Sequence, residues 1–576
     1  MAGQHVVGAA ASSKDLIPHG GAAIAPDELQ CEPARDIDAL WMVDRRHVQP
    51  GRRIVIMLLL LTVAAFLVHG YHVGVEDQDV YLSAIRKNLD PSKYPFNADF
   101  FTEQMKGSVF VPAVAATARI LHSVQWALLV WQAASIFLIL LGCQKLAEAC
   151  FEGSGARWAS VILVTIMLTV PIAGTALYPV DQYLHPRAPA SVGVLFALVA
   201  SLHKQWGRAT VWLTFAALMH PLMAVYGISL VMFVAWPPYR WEETPLGMAA
   251  LVLPLHLWQR PSQAWREAAL ARPYYFPLQW TWYEWLGMAA PVLLVWWFRR
   301  IARRHGMATL ERVAGRLLGF AIFQFAVGAW MTFPGGSQQL AALQPMRWLH
   351  IFYFVFLVMA GGLAGNFLLR RRVWLWLLVF LPMAAAMFYT QRQLFCHSDH
   401  LEWPGLPRKN PWANAFAWVR QHTPETAIFA LVPNYMDLYA EDGYGFRALA
   451  ERSLLAENQK DPGAATVFAD LAPEWQEQVA AQQGIEGFSY QQFHQLNTRY
   501  HVTWTVLPST ARVPLECPYR NSAAQVCRID SGEIRVPTAE MVSRRHKMCD
   551  PAQSARDIAG ANDRHGDPAA IVRKGV

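Results

Sequence analysis

Long apolar stretches recur along the first two thirds of the chain, and they constrain its fold more than any other feature. An α-helix needs about 20 apolar residues to cross the hydrocarbon core of a bilayer. With 54% hydrophobic residues, the 576-residue chain is too apolar for one soluble core. We therefore predict an α-helical polytopic membrane protein with about 11 transmembrane helices. The predicted spans cover residues 54–70, 122–142, 158–178, 189–202, 209–219, 222–236, 246–258, 285–298, 313–332, 348–369 and 373–389.

The stretch 209–236 decides the topology, because it fits either one long helix or two short helices broken at Pro221. Cytoplasmic loops are enriched in Lys and Arg, and only the two-helix alternative brings the basic clusters to one side. These clusters lie at residues 204–208, 299–304 and 370–372. We choose two helices, which places the N-terminus in the cytoplasm and the C-terminus outside.

Polar segments define the remaining domains. We predict a disordered cytoplasmic leader at 1–53, a transmembrane domain at 54–390 with an outer loop at 71–121, a small extracytoplasmic α/β domain at 391–541, and a flexible tail at 542–576. Within the α/β domain, the pattern predicts strands at 427–432 and 501–507 and helices at 410–421, 443–457 and 472–483. The net charge of +7 falls in short clusters between spans, so it is a topology signal and indicates no nucleic-acid partner.

Two cysteines of the α/β domain, Cys517 and Cys527, are separated by nine residues. This spacing suits a disulfide across a hairpin in an oxidising compartment, which agrees with an outer C-terminus. Two unpaired thiols are the alternative.

Glu76, Asp77 and Asp79 stand within four positions directly after the first span. Carboxylates this close repel one another at a membrane surface, so they need water, a cation or a basic substrate. Mg²⁺ or Mn²⁺ is a natural neutraliser, and one carboxylate is a candidate general base. A solvated loop that begins with acids explains the same residues equally well.

This acidic motif in a long first outer loop, followed by short helices and an outer C-terminal domain, resembles the GT-C class of membrane glycosyltransferases. The string Leu89-Asp90-Pro91, Tyr94-Pro95, Asp99-Phe100-Phe101 resembles a bacterial polytopic membrane family related to that class. The resemblance implies a bacterial inner membrane location and a sugar donor carried on polyprenyl phosphate. It also implies that Asp77 or Asp79, with Glu76 as the remaining candidate, is the catalytic base or metal ligand.

A second outer segment carries Asp181, His185 and Arg187. The resemblance makes Asp181 a candidate second acid and, with Asp77 and Asp79, a candidate metal ligand, and Arg187 is suited to a lipid-linked phosphate. His220 and Arg347 lie on the same side and are further candidates for binding the donor. For each there is a simpler explanation, such as a basic side chain reaching lipid headgroups or a polar cap on a broken helix.

Three functions remain open from the sequence. The first is transfer of a sugar from a polyprenyl-phosphate donor in the bilayer to an unknown acceptor on the outer face. The second is a lipid or solute transporter, which would need acids inside the spans or paired broken helices. The third is a non-catalytic scaffold or sensor that binds envelope partners through the α/β domain. Motifs for nucleotide hydrolysis, serine hydrolysis or structural zinc are missing from the sequence.

Overall fold

A computed structural model of the chain describes residues 50–235, 262–333 and 338–529. The predicted span at 246–258, most of the predicted leader and the predicted tail lie outside the described residues. Most described residues belong to helices, which are α1 Pro50–His69, α2 Gln78–Leu89, α3 Asp99–Thr102, α4 Phe110–Leu121, α5 Val124–Cys150, α6 Ser154–Ile166, α7 Arg187–Leu202, α8 Trp206–Met219, α9 Pro221–Ala235, α10 Gln263–Leu270, α11 Trp282–Arg304, α12 Ala308–Thr332, α13 Trp348–Leu363, α14 Val373–Leu394, α15 Pro411–His422, α16 Phe446–Ala450, α17 Asp461–Val467, α18 Ala472–Gln482 and α19 Tyr490–Tyr500.

Five segments of the described chain are long and apolar enough to cross a membrane. They are Gly51–His69, Val124–Cys150, Ala308–Thr332, Leu340–Leu369 and Val373–Leu394. Four shorter apolar helices accompany them, namely α4, α6, α7 and α9. Large apolar side chains of α1 and α14 point outward, as they do where a helix faces lipid. The count of about 11 crossings stays a prediction.

The break inside the stretch 209–236 is present. Helix α8 ends at Met219, His220 is extended with φ −153°, and α9 begins at Pro221. Proline has no N–H to continue a helix but suits its first turn, which explains the position of the break. Helices α7 and α9 then pack closely, since a Cβ on Gly227 would lie 2.4 Å from Cγ2 of Val194.

The segment after α1 is folded against the C-terminal domain rather than forming an open loop. It contains α2, α3 and α4. Isolated β-bridges join Tyr71 to Leu401 and Val75 to Tyr444. The N–H of Gly445 also donates to the carbonyl of Gly74 at 2.7 Å. This docking places the acidic motif at the junction of the helical and C-terminal domains.

The C-terminal domain contains one five-stranded sheet of order β2-β1-β3-β5-β4. Its strands are β1 Ile428–Leu431, β2 Ser453–Leu454, β3 Val502–Pro508, β4 Glu516–Arg520 and β5 Ala524–Arg528. β1 pairs in parallel with β2 and β3, and the disulfide-linked strands β4 and β5 form the antiparallel edge. Helix α15 begins as predicted, with the Asn410 side chain accepting from the Ala413 N–H ahead of a first-turn proline.

The predicted helix at 443–457 is wrong. Helix α16 covers only Phe446–Ala450, because Glu451 adopts a left-handed φ of +53° and ends it. Ser453 and Leu454 then pair with β1 as strand β2. The apolar periodicity of this segment fits a helix, but its pairing partner β1 lies 25 positions earlier, which is outside the window of a local pattern.

Candidate functional site

A cavity of about 900 Å³ lies where the segment after α1, the α6–α7 connection and the C-terminal domain meet. Ten charged residues line it: Glu76, Asp77, Asp181, Glu267, Asp437, Asp442, Arg187, Arg272, Arg347 and Lys460. Aromatic side chains such as Tyr178, Tyr183 and Tyr274 complete its wall. The cavity therefore combines carboxylates, guanidinium groups and aromatic rings.

Gln78 holds the two acidic segments next to each other. Its Oε1 accepts from the N–H of Gly74 at 2.6 Å, and its Nε2 donates to the carbonyl of Leu184 at 3.2 Å. Gly74 adopts φ +84°, a conformation that favours glycine. Asp77 and Asp181 reach the same cavity because of this link.

Asp77 is the best-connected carboxylate of the cavity, although its side chain keeps 32% exposure. Its Oδ2 lies 3.3 Å from Nε2 of His185 and 3.7 Å from Nη1 of Arg187, and its Oδ1 lies 3.2 Å from Nζ of Lys460. Burial alone would raise the pKa of Asp77, but Lys460, His185 and Arg187 together hold that pKa well below its usual range. Asp77 is therefore ionised near neutral pH.

The hydrogen bonds of His185 assign its tautomer. The backbone N–H of Arg187 donates to Nδ1 at 3.0 Å, so Nδ1 is an acceptor and the proton sits on Nε2, which faces Asp77. Burial, with Arg187 adding to it, lowers the pKa of His185 to about 3. His185 is thus a neutral donor that orients the Asp77 carboxylate.

Arg187 and Asp181 form a buried ion pair. Nη2 of Arg187 lies 3.0 Å from both carboxylate oxygens of Asp181, and the two side chains keep 3% and 5% exposure. Pro186 and Pro189 flank Arg187 in the first turn of α7, where proline is tolerated. The pair anchors a guanidinium between the two acids of the site.

Several buried nitrogen atoms around the cavity lack a hydrogen-bond partner within the described residues. They are Nε of Arg187, Nε of Arg272, Nε of Arg347 and Nδ1 of His220. The ring centroid of His220 lies 6.0 Å from that of His185, in a stacked arrangement. Buried donors are almost always satisfied in native proteins, so the three arginine Nε atoms are available to a hydrogen-bond acceptor that enters the cavity.

Glu76 and Asp79 are placed differently from Asp77. Oε2 of Glu76 lies 2.5 Å from Nζ of Lys460 at the cavity wall. Asp79 points away into a fully buried cluster, where it accepts from the N–H of Ala448 at 2.9 Å and pairs with Arg447 at 3.2 Å. Arg447 in turn binds Asp461. The structure thus brings Asp77, Asp181, His185, Arg187, His220 and Arg347 together, and it leaves Asp79 outside the cavity.

Lys460 and Arg272 are functional candidates that the sequence analysis missed. Lys460 is separated from Glu76 by 384 positions, and no motif marks it. Glu76 and Asp77 raise its pKa although burial opposes the charge. Arg272 lies in a Trp- and Tyr-rich segment typical of the membrane interface, and this pattern alone gave no reason to select it as a site residue. Its Nη1 donates to the hydroxyl of Tyr274 and its Nη2 to the carbonyl of Lys460.

Asp77 and Asp181 do not fit an Mg²⁺ or Mn²⁺ site. A hard divalent ion would need oxygen ligands converging from Asp77 and Asp181 at about 2.1 Å. The guanidinium of Arg187 occupies the space between them, and Lys460 covers the other Asp77 oxygen. The negative charge of the acids is therefore balanced by side chains of the chain itself.

No family model matches the chain, and no curated protein matches it. Solved structures of two GT-C glycosyltransferases do match. One is the Archaeoglobus fulgidus oligosaccharyltransferase tethered with an acceptor peptide, at 12% identity and TM-score 0.45, covering 79% of this chain and 69% of that one. The other is ArnT from Cupriavidus metallidurans in the apo state, at 13% identity and TM-score 0.37. This match covers 84% of our chain and 99% of the ArnT chain.

Two further structures of the Archaeoglobus fulgidus enzyme also match. One contains an inhibitory peptide and a dolichol-phosphate, at 12% identity and TM-score 0.36, covering 80% of this chain and 70% of that one. The other contains Zn and sulfate, at 13% identity and TM-score 0.37, and the match covers 79% of our chain and 68% of that one. Since all these TM-scores are below 0.5, we base the functional proposal on the geometry of the site.

Proposed function

We propose that the protein is a membrane glycosyltransferase that moves a sugar from a polyprenyl-phosphate donor to an acceptor on the outer face of the membrane. The observation that carries this proposal is the position of an ionised carboxylate, Asp77, in the same cavity as three arginines whose buried Nε atoms have no hydrogen-bond partner within the described residues. An anion-binding cluster beside a base is what a reaction with a phosphate leaving group requires.

Arg187 and Arg347 are the proposed ligands of the donor phosphate, with Arg272 and His220 as further donors. Their buried N–H groups would each gain a partner when a phosphate enters. In the transition state, negative charge grows on the phosphate oxygen that leaves the sugar. Positive charge held in a fixed position stabilises that oxygen without having to reorganise.

Asp77 is the proposed general base. The acceptor hydroxyl oxygen bonds to C1 of the sugar, the bond from C1 to the phosphate oxygen breaks, and that oxygen keeps the electron pair. The acceptor proton passes to an oxygen of Asp77. Because the pKa of Asp77 is low, this transfer is favourable only once the new bond to C1 has made the acceptor oxygen acidic. His185 and Lys460 are positioning residues that fix the carboxylate.

A divalent ion is not needed in this scheme, because Arg187, Arg347 and Lys460 supply the positive charge. Adding Mg²⁺ or Mn²⁺ to chelator-treated protein is therefore expected to leave turnover unchanged. A requirement for either ion would mean that Arg187 moves aside when substrate binds.

The predicted location and domain boundaries belong to the same proposal. A bacterial inner membrane would supply the donor, with residues 54–390 in the bilayer and 391–541 on the outer side. The Cys517–Cys527 disulfide supports an oxidising outer compartment for the C-terminal domain.

The proposal is tested by transfer of radiolabelled sugar from a panel of polyprenyl-phosphate donors by the purified full chain. Asp77→Asn is expected to lower kcat/KM by about 10² to 10⁴. Asp90→Asn is the matched control, because Asp90 lies in the same segment but hydrogen-bonds locally to Ser92. Equal activity of the Asp77→Asn variant and wild type would refute the role of Asp77. Absence of transfer from every donor would favour a scaffold or transporter.

A further inference from the structure

Cys396, His397 and Asp442 bring three different ligand types together just after the end of α14. The Sγ of Cys396 lies 3.1 Å from Nδ1 of His397, and Oδ1 of Asp442 lies 3.2 Å from the same nitrogen. One donor atom from each side chain lies within 4.8 Å of the others. Asp442 also lines the acidic cavity, and the cluster adds a thiol and an imidazole to this carboxylate.

The Sγ–Nδ1 and Oδ1–Nδ1 distances are close to those of a tetrahedral transition-metal site, and the third separation is at most 4.8 Å. Zn²⁺ binds sulfur at about 2.3 Å and nitrogen or oxygen at about 2.0 to 2.1 Å, so ligands at tetrahedral angles lie about 3.3 to 3.6 Å apart. The separations of 3.1 and 3.2 Å require shifts of only a few tenths of an ångström. A thiolate with an imidazole selects zinc or cobalt over magnesium or calcium.

A catalytic Cys-His-Asp triad is a poorer fit to the same atoms. In a triad, one ring nitrogen faces the nucleophile and the other faces the carboxylate. Here both Sγ of Cys396 and Oδ1 of Asp442 approach Nδ1 of His397, and Nε2 lies 4.0 Å from the sulfur. The sulfur and the carboxylate oxygen therefore approach the same ring nitrogen, and a relay through the ring does not form.

Two hydrogen bonds to the other oxygen hold the Asp442 carboxylate in place. The other oxygen of Asp442, Oδ2, accepts from the N–H of His397 at 2.9 Å and from the hydroxyl of Ser398 at 2.8 Å. Asp442 itself adopts φ +58° in a turn that continues into Gly443 at φ +78°. Outer hydrogen bonds of this kind orient the ligands of metal sites.

We propose that Cys396, His397 and Asp442 form a zinc site, with a fourth position open to water. Binding releases the thiol proton to solvent. The ion would tie the end of α14 to the turn at Asp442. The neighbouring Gly443 carbonyl accepts from the N–H of Glu76 at 2.7 Å, so this turn supports the acidic segment of the cavity. The proposal does not depend on sugar transfer.

Cobalt binding to the full chain in detergent tests the site, because a thiolate ligand gives a near-ultraviolet charge-transfer band. Chelator-stripped protein kept free of oxygen is expected to bind one equivalent of Co²⁺ with this band, and Zn²⁺ is expected to remove it. Cys396→Ser should abolish the band, and since Cys396 is exposed, the variant should fold. Asp442→Asn should weaken Co²⁺ binding at least tenfold, whereas Asp399→Asn, which alters a nearby acid paired with Lys409, should not.

Alkylation gives a second readout. Mass spectrometry should show Zn²⁺ protecting Cys396 from a maleimide, while buried Cys143 and Cys150 stay unmodified with or without the ion. No thiolate band in the wild-type protein, or a band of equal strength in Cys396→Ser, would overturn the proposal. So would alkylation of Cys396 at the same rate in saturating Zn²⁺.

Discussion

The Arg187–Asp181 pair allows stability and donor binding to be separated. Both side chains are at least 95% buried, and Nη2 of Arg187 lies 3.0 Å from each oxygen of Asp181. Arg187→Met would leave Asp181 as a buried carboxylate without its main partner. Removing one member of a buried pair costs about 3 to 5 kcal/mol, because the remaining charge loses compensation for its desolvation.

The double variant Arg187→Met/Asp181→Asn removes both charges and is therefore expected to recover most of this free energy of unfolding. Donor turnover should not recover, because the phosphate ligand is still missing. The assays are unfolding of the detergent-solubilised chain in increasing SDS, followed by tryptophan fluorescence, and sugar transfer. A double variant as unstable as Arg187→Met would refute the pairing, and a double variant with normal turnover would refute the phosphate role of Arg187.

Two further predictions concern His185 and Gly445. Burial and Arg187 lower the pKa of His185 from 6.5 to about 3, so below pH 6.5 the unfolded chain binds a proton that the folded chain does not. The free energy of unfolding should therefore fall with decreasing pH, by up to about 1.4 kcal/mol per pH unit. In SDS titrations at pH 5 to 7, the His185→Gln variant should show a smaller pH dependence than wild type. An unchanged dependence would contradict the assignment of His185 as neutral. A Cβ on Gly445 would lie 2.4 Å from Oδ1 of Asp79, so Gly445→Ala should cost about 1 to 3 kcal/mol, whereas Gly153→Ala, which meets open space, should be nearly neutral. Equal stability of the two alanine variants would contradict the close packing at Gly445.

Long or strongly marked elements of the fold were predictable from the sequence. The break at His220 followed from a proline, and the start of α15 followed from an Asn-Pro cap. Strands β1 and β3 followed from short runs of β-branched and aromatic residues. Strand β2 was missed because two residues carry no periodicity, and only pairing with β1 defines it.

The candidate site was predictable where its residues follow spans directly. Asp77, Asp181, His185 and Arg187 stand in two polar segments that the apolar pattern brackets, so a shared side of the membrane could be inferred. Lys460 comes from the C-terminal domain, and its approach to Glu76 depends on how that domain docks. The separation of Asp77 from Asp79 was equally hidden, because the turn into α2 sends neighbouring carboxylates in different directions.

The most direct test of the central proposal is an experimental structure of the full chain with a polyprenyl phosphate bound. We expect the phosphate in the cavity, within hydrogen-bond distance of Nε of Arg187 and Nε of Arg347, with the Asp77 carboxylate facing the position of the sugar. A phosphate bound elsewhere, with these guanidinium groups still unsatisfied, would contradict the proposed donor site.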